Sequence, residues 1–164
     1  MRPVPIKPGP GQESVWDFPR PAIAEPAAQL LKIEFGGAVV AETSRAVRTL
    51  ETSHPPTYYF PPEAIRDGIL TRSDHHSFCE WKGEATYFDL VFGGKKAQNA
   101  AWTYLNPTPA FEILRRHVAF YPSLMDACFV DDERVQAQPG GFYGGWITSH
   151  FVGPFKGGPG SWGW

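Results

Sequence analysis

Apolar and polar residues alternate over Leu31-Lys32-Ile33-Glu34-Phe35, the two-residue period of a strand with one buried face. Gly36-Gly37 follows and Ala38-Val39-Val40-Ala41 returns; glycine pairs suit the positive φ of a two-residue hairpin turn. The design recurs where Tyr87-Phe88-Asp89-Leu90-Val91-Phe92 runs through Gly93-Gly94 into Lys95–Tyr104. Two such hairpins make a meander, not a repeat array. Further strand signals are His117–Tyr121 and Ala127–Val130, the latter ended by Asp131-Asp132. Ser44–Leu50 is read as strand from its flanking pattern. Helical signals are short. Pro61–Arg66 has its prolines where a first turn tolerates them, and Phe111–Arg115 suffices for one or two turns. The pattern predicts a mainly β domain of antiparallel hairpins with few short helices.

Glycine and proline change that picture at the ends. Residues 1–26 hold seven Pro and two Gly, and residues 139–164 hold three Pro and nine Gly. The spread predicts a Pro-rich N-terminal arm over 1–26, a single β domain over 27–138 and a Gly/aromatic C-terminal arm over 139–164. The first arm should sample extended, polyproline-like backbone, because each Pro fixes φ and removes a donor. The last carries Phe142, Tyr143, Trp146, Phe151, Phe155, Trp162 and Trp164. So many aromatics predict a tail that packs on the domain or on a protein partner.

Charge narrows the function classes. Lys and Arg number 15 against 17 Asp and Glu, a net charge of −2. That balance supplies no electrostatic case for general nucleic-acid binding or for an anionic membrane surface. No apolar run approaches the roughly 18 residues of a spanning helix. The two cysteines cannot form a disulfide scaffold or a four-cysteine zinc site. The expectation is a soluble, cytoplasmic protein without a resident cofactor.

The densest polar run, Ser73–Glu84 (SDHHSFCEWKGE), is read as a loop entering the second hairpin, where functional groups are often carried. Three uses compete. His75 or His76 with Cys79, helped by Asp74 or His54, could hold a metal, but the spacing matches no paired-ligand motif, and no metal is assigned. Cys79 could be a nucleophile whose thiolate Lys82, Arg48 or a histidine favours. Alternatively, these groups orient a ligand. Cys128, inside an apolar strand pattern, reads as a buried hydrophobe. Upstream, Arg48 is an anion fork or the ion-pair partner of Glu51, and Glu51 is a proton acceptor. Tyr58 and Tyr59 should face opposite ways on a strand, while Trp81, Trp102 and Tyr104 are candidate pocket walls.

Several of these segments carry a family resemblance. Pro56-Thr57-Tyr58-Tyr59-Phe60-Pro61, Ser73-Asp74-His75, Cys79-Glu80-Trp81-Lys82-Gly83, Ala100-Ala101-Trp102-Thr103-Tyr104 and Val118-Ala119-Phe120-Tyr121 resemble the bacterial domain of unknown function 427 family. The resemblance covers Lys32 to Glu133, and the glycine-rich tail resembles the longer form of that family. It implies a small β-tent-like fold, and it brings a nucleotidyltransferase heading under which the family is in places catalogued. Polymerase-type nucleotidyl transfer uses spaced carboxylates on two metals, and this chain has no Asp-x-Asp.

The leading expectation is a small-molecule pocket bounded by Arg48, Glu51, Tyr59, His75, Cys79, Trp81, Lys82 and Trp102. Arg48 and Lys82 would hold an anionic group, the aromatics a planar body, and Glu51 or His75 would move protons. The alternatives are a protein-interaction module that uses the terminal arms and a thiol enzyme with Cys79 as nucleophile.

Overall fold

The computed structural model describes residues 2–164. Its strands, in chain order, begin with β1 (Glu13–Ser14), β2 (Ile23–Pro26), β3 (Leu31–Phe35), β4 (Ala38–Thr43) and β5 (Val47–Leu50). There follow β6 (Thr57–Phe60), β7 (Leu70–Cys79), β8 (Gly83–Phe92), β9 (Lys95–Tyr104) and β10 (Val118–Phe120). The last are β11 (Ala127–Val130), β12 (Glu133–Arg134), β13 (Gln136–Ala137), β14 (Trp146–Ile147) and β15 (Phe151–Val152). Helical structure is confined to short 3₁₀ turns, among them Val15–Asp17, Pro62–Ala64 and Pro109–Leu114.

Two antiparallel sheets stack. The larger has the order β2-β5-β6-β10-β9-β8-β7 and the smaller β12-β11-β3-β4. The expected period of two holds on β3, where Leu31, Ile33 and Phe35 are buried and Lys32 and Glu34 are not. These three meet Tyr58, Phe60, Leu90, Val118 and Phe120 of the larger sheet in the main core. Cys128 lies in that core, and burial pushes its thiol pKa far up.

Both Gly-Gly pairs make hairpin turns, with φ of 62° and 88° at Gly36 and Gly37 and of 61° and 75° at Gly93 and Gly94. The two turns also touch. A Cβ on Gly36 would collide with the Phe92 carbonyl, and one on Gly93 with the Gly36 carbonyl.

The chain ends are built into this frame. Strand β2 pairs with β5 at the edge of the larger sheet, and β1 runs parallel to β15. Trp16 and Phe18 pack with Leu50 and Phe151 in a smaller apolar cluster. Trp146 is fully buried, its ring 5.3 Å from Tyr58 and 6.0 Å from Phe60.

One element departs from the expected pattern. Residues read as a loop, from Ser73 to Cys79, belong to the ten-residue strand β7. β7 is an edge strand that pairs only with β8 and is wet on most of its surface. Its sequence therefore lacks the apolar alternation by which half-buried strands are recognised. Polar edges also oppose edge-to-edge aggregation.

Candidate functional site

The face of the larger sheet that turns away from the main core carries a floor of aromatic rings. Strand alternation puts them there. On β6, Tyr58 and Phe60 point into the core, so Thr57 and Tyr59 point the other way. On β8 and β9 the same phase presents Tyr87, Trp102 and Tyr104, with Tyr87 directly opposite Trp102. Tyr121 follows β10, its ring 4.6 Å from that of Trp102. The Trp102 indole N–H donates to the Tyr59 hydroxyl at 3.4 Å, and Tyr87 shares a hydrogen bond of 3.0 Å with Ser77.

Above the floor is a cavity of about 610 Å³. Shallower hollows elsewhere measure about 350 and 330 Å³. One wall of the cavity is β7, where His75, Ser77 and Cys79 share a face by the period of two. An irregularity between Arg72 and His76 shifts the register by two residues without changing the face, and the His75 ring lies 4.5 Å from that of Tyr87. The turn after β7 brings Lys82 back, its ammonium 3.9 Å from the Cys79 sulfur and 5.6 Å from the centre of the Phe111 ring.

The opposite wall is the turn Glu51–His54. Its backbone hangs on the N-terminal run, since Thr52 N–H donates to Pro19 and Ser53 N–H to Val15. His54 Nε2 lies 3.4 Å from the Glu51 carboxylate. The roof is the loop between β13 and β14, with Gln138, Tyr143 and Gly144 over the cavity.

Electrostatics sort these groups. Burial raises the pKa values of Tyr59, Tyr104 and Tyr121, so the floor offers neutral phenols. Burial also pushes the Glu51 carboxyl up, but the hydrogen bond and the electrostatic attraction of His54, with the positive charges of Lys82 and Arg20, outweigh it. The net displacement is downward, and Glu51 is an anion at neutral pH.

Six of the expected residues, Glu51, Tyr59, His75, Cys79, Lys82 and Trp102, thus converge on one cavity. Arg48 and Trp81 do not. Thr49 faces the cavity, so its neighbour Arg48 points to the other side of the strand. There Arg48 pairs with Glu13 at 3.2 Å and Glu25 at 2.8 Å, not with Glu51. Trp81 sits on the β7–β8 turn and packs against the cluster that contains Phe111 and Leu114. Among the described residues, no group of three or more His, Cys, Asp or Glu is placed to hold a metal ion. His76, on the other face of β7, pairs instead with Glu84 at 3.4 Å.

Sequence reasoning missed Tyr87, Tyr121 and Gln138 as cavity residues. Tyr87 had a usable signal, because it alternates with Phe88 on a predicted strand of the hairpin that also carries Trp102. Gln138 had none, since its role depends on a contact with His54 far away in the chain.

A search among curated proteins finds no match. The family model described as a domain of unknown function, DUF427, matches residues 23–131. That span holds the floor and both walls but not the roof. By this match the chain belongs to the DUF427 family.

Proposed function

We propose that the cavity binds a small planar molecule bearing an anionic group. The observation that carries this reading is the pairing of an aromatic floor with a cation. Rings of Tyr59, Tyr87, Trp102 and Tyr121, tilted against one another by 33° to 87°, give an aromatic bed. Lys82 adds an ammonium 3.9 Å from a thiol and 5.6 Å from a ring centre, with the Glu51 carboxylate within its electrostatic reach, and it is the cation offered to an incoming carboxylate or phosphate. Cavities of roughly 300–1,000 Å³ with apolar linings and a few convergent polar groups are the usual form of small-ligand sites, and this one has about 610 Å³.

The test is a thermal-shift and tryptophan-fluorescence titration against planar aromatic acids and their uncharged parents. The acids should stabilise the protein by several degrees, and Lys82→Met should abolish their advantage over the parents. A panel in which neither class binds at millimolar concentration overturns the reading.

A second reading, a thiol-dependent reaction at Cys79, is favoured by the 3.9 Å approach of Lys82 to the sulfur. Under the first reading Cys79→Ser keeps the affinity for the acids. Under the second it also removes a covalent adduct or turnover that the wild type shows with an electrophilic member of the panel.

A further inference from the structure

We propose that the loop Gln138–Gly145 is a strap across the cavity, locked while His54 is neutral and released when His54 is protonated. The consequence for ligand access rests on the binding reading above, whereas the lock stands on hydrogen-bond chemistry alone.

The lock centres on Gln138, which is 3% exposed. Its side-chain oxygen accepts from the Gly145 N–H at 3.1 Å, across the base of the loop. Its Nε2 donates to the Lys156 carbonyl at 2.8 Å and lies 3.0 Å from His54 Nδ1. These contacts leave one orientation for the amide. Turning it over would set the amide oxygen against the Lys156 carbonyl and the NH₂ against the Gly145 N–H. With the amide so fixed, both Nε2 hydrogens are committed, and Nδ1 of His54 must accept. A neutral imidazole that accepts at Nδ1 carries its proton on Nε2, which lies 3.4 Å from Glu51 Oε2.

Protonation puts a hydrogen on Nδ1 and points it at the two hydrogens of the amide. No rotation of Gln138 repairs the conflict without breaking the Gly145 or the Lys156 bond. The charged and titratable groups around His54 are Glu51 in its own turn and Tyr143, whose ring lies 4.8 Å away on the strap. The Lys156 carbonyl accepts from Gln138, and its ammonium donates to the Trp164 carbonyl. Lys82 and Arg20 act on Glu51.

What the lock restrains is a covering over the floor. Gly144 lies so close to the Trp102 ring that a Cβ there would collide with it. Gly145 is equally confined between Gln138 and Pro55. Releasing the strap frees the outer edge of the indole and opens the cavity above the floor.

The experiment is residue-resolved amide exchange by NMR on the ligand-free protein, with protection factors corrected for the intrinsic pH dependence of exchange. Gly145 N–H reports the lock. Trp146 N–H, bonded to the Pro56 carbonyl at 2.8 Å, reports the frame beside it. Between about pH 8 and pH 5, the span in which histidines ordinarily titrate, the Gly145 protection factor should fall about tenfold, the loss of one buried hydrogen bond. The fall should follow the His54 ring resonances, and Trp146 should stay protected. In His54→Asn, whose side-chain oxygen stands near the Nδ1 position and does not titrate, Gly145 should stay protected throughout.

A wild-type profile flat in pH, a fall that persists in H54N, or a parallel loss at Trp146 each overturns the proposal. An H54N variant in which Gly145 is loose at neutral pH while Trp146 stays protected removes the acceptor role of Nδ1 and the proposal with it. No ligand enters this assay, so its failure leaves the binding reading standing, and failure of the ligand panel leaves the lock standing.

Discussion

Trp146 lies beyond the residues matched by the family model, 23–131, yet it is fully buried in the main core. Replacing it with alanine removes an indole that packs at 5.3 and 6.0 Å against Tyr58 and Phe60. Truncating a buried Trp or Phe to Ala typically costs about 3–5 kcal/mol, the lost transfer energy plus the cavity left behind. The indole N–H bond to the Phe120 carbonyl is long at 3.4 Å, so its loss adds little, and the packing sets the cost. We expect Trp146→Ala to destabilise by about 4 kcal/mol, a large share of the roughly 5–15 kcal/mol of a typical domain. At about 2–4 °C per kcal/mol for a chain of this size, the melting temperature should drop by about 8–16 °C. Trp146→Phe keeps a ring in place and should cost about 1–2 kcal/mol. Trp162, 77% exposed on the same tail, is the control, and its alanine variant should stay within about 0.5 kcal/mol of wild type. Urea unfolding followed by circular dichroism measures all three. A Trp146→Ala cost below about 1 kcal/mol would refute the reasoning, because it would mean that the tail leaves the core without consequence.

Three further outcomes follow from the geometry. Gly93→Ala should destabilise by well over the roughly 1–2 kcal/mol that left-handed backbone costs an ordinary residue, since its Cβ meets the Gly36 carbonyl; Gly94→Ala, whose Cβ meets open space, should cost only that much. Urea midpoints of the two variants separate these cases. The Glu51 carboxyl is displaced downward on folding, so its stabilisation is present above the ordinary carboxyl pKa of about 4.3 and lost as pH falls through the lower folded value. Glu51→Gln should therefore flatten the acid limb of stability against pH between about pH 5 and pH 3, read from urea midpoints. Iodoacetamide on the native protein should label Cys79, which is partly exposed, and spare the buried Cys128; peptide mass spectrometry should find Cys128 modified only after unfolding.

The sequence was most legible where local pattern and tertiary burial agree. Gly36-Gly37 and Gly93-Gly94 announced both long hairpins, and the alternation in Leu31–Phe35 named the core-facing side of β3 correctly. The phase of Tyr58 and Tyr59 likewise told that one ring would enter the core and its neighbour would not. Register was less legible. Counting back from the Gly93-Gly94 turn sets Tyr87 opposite Ala100, but a bulge between Phe88 and Leu90 moves its partner to Trp102. Asn99, at a φ of 51°, lies on the bulged stretch of β9, and its N–H is held by the Asp89 carboxylate at 2.8 Å. Because the shift is by two residues, the face stays the same, and Tyr87 and Trp102 still share the floor. Arg48 failed for the opposite reason. A single step along β5 reverses the face, and its true partners, Glu13 and Glu25, come from strands that no local pattern near Arg48 could reveal. The polar edge of β7 hid a strand, because an edge that stays wet needs no apolar code.

The cavity has a divided origin: its bed and sides come from the family-matched stretch, its cover from the glycine-rich segment that follows. A chain with the bed alone would present a stripe of phenols and an indole to solvent, an adhesive surface that soluble proteins seldom leave bare. The covering loop meets that bed at Gly144, where any side chain would strike the Trp102 ring, and lends the chamber the side chains of Gln138 and Tyr143. Lengthening the loop would therefore change the height of the chamber, whereas replacing Gly144 would push against the indole of β9. Under the binding reading, the size of the chamber and the chemistry of its bed would be set by different stretches of the polypeptide.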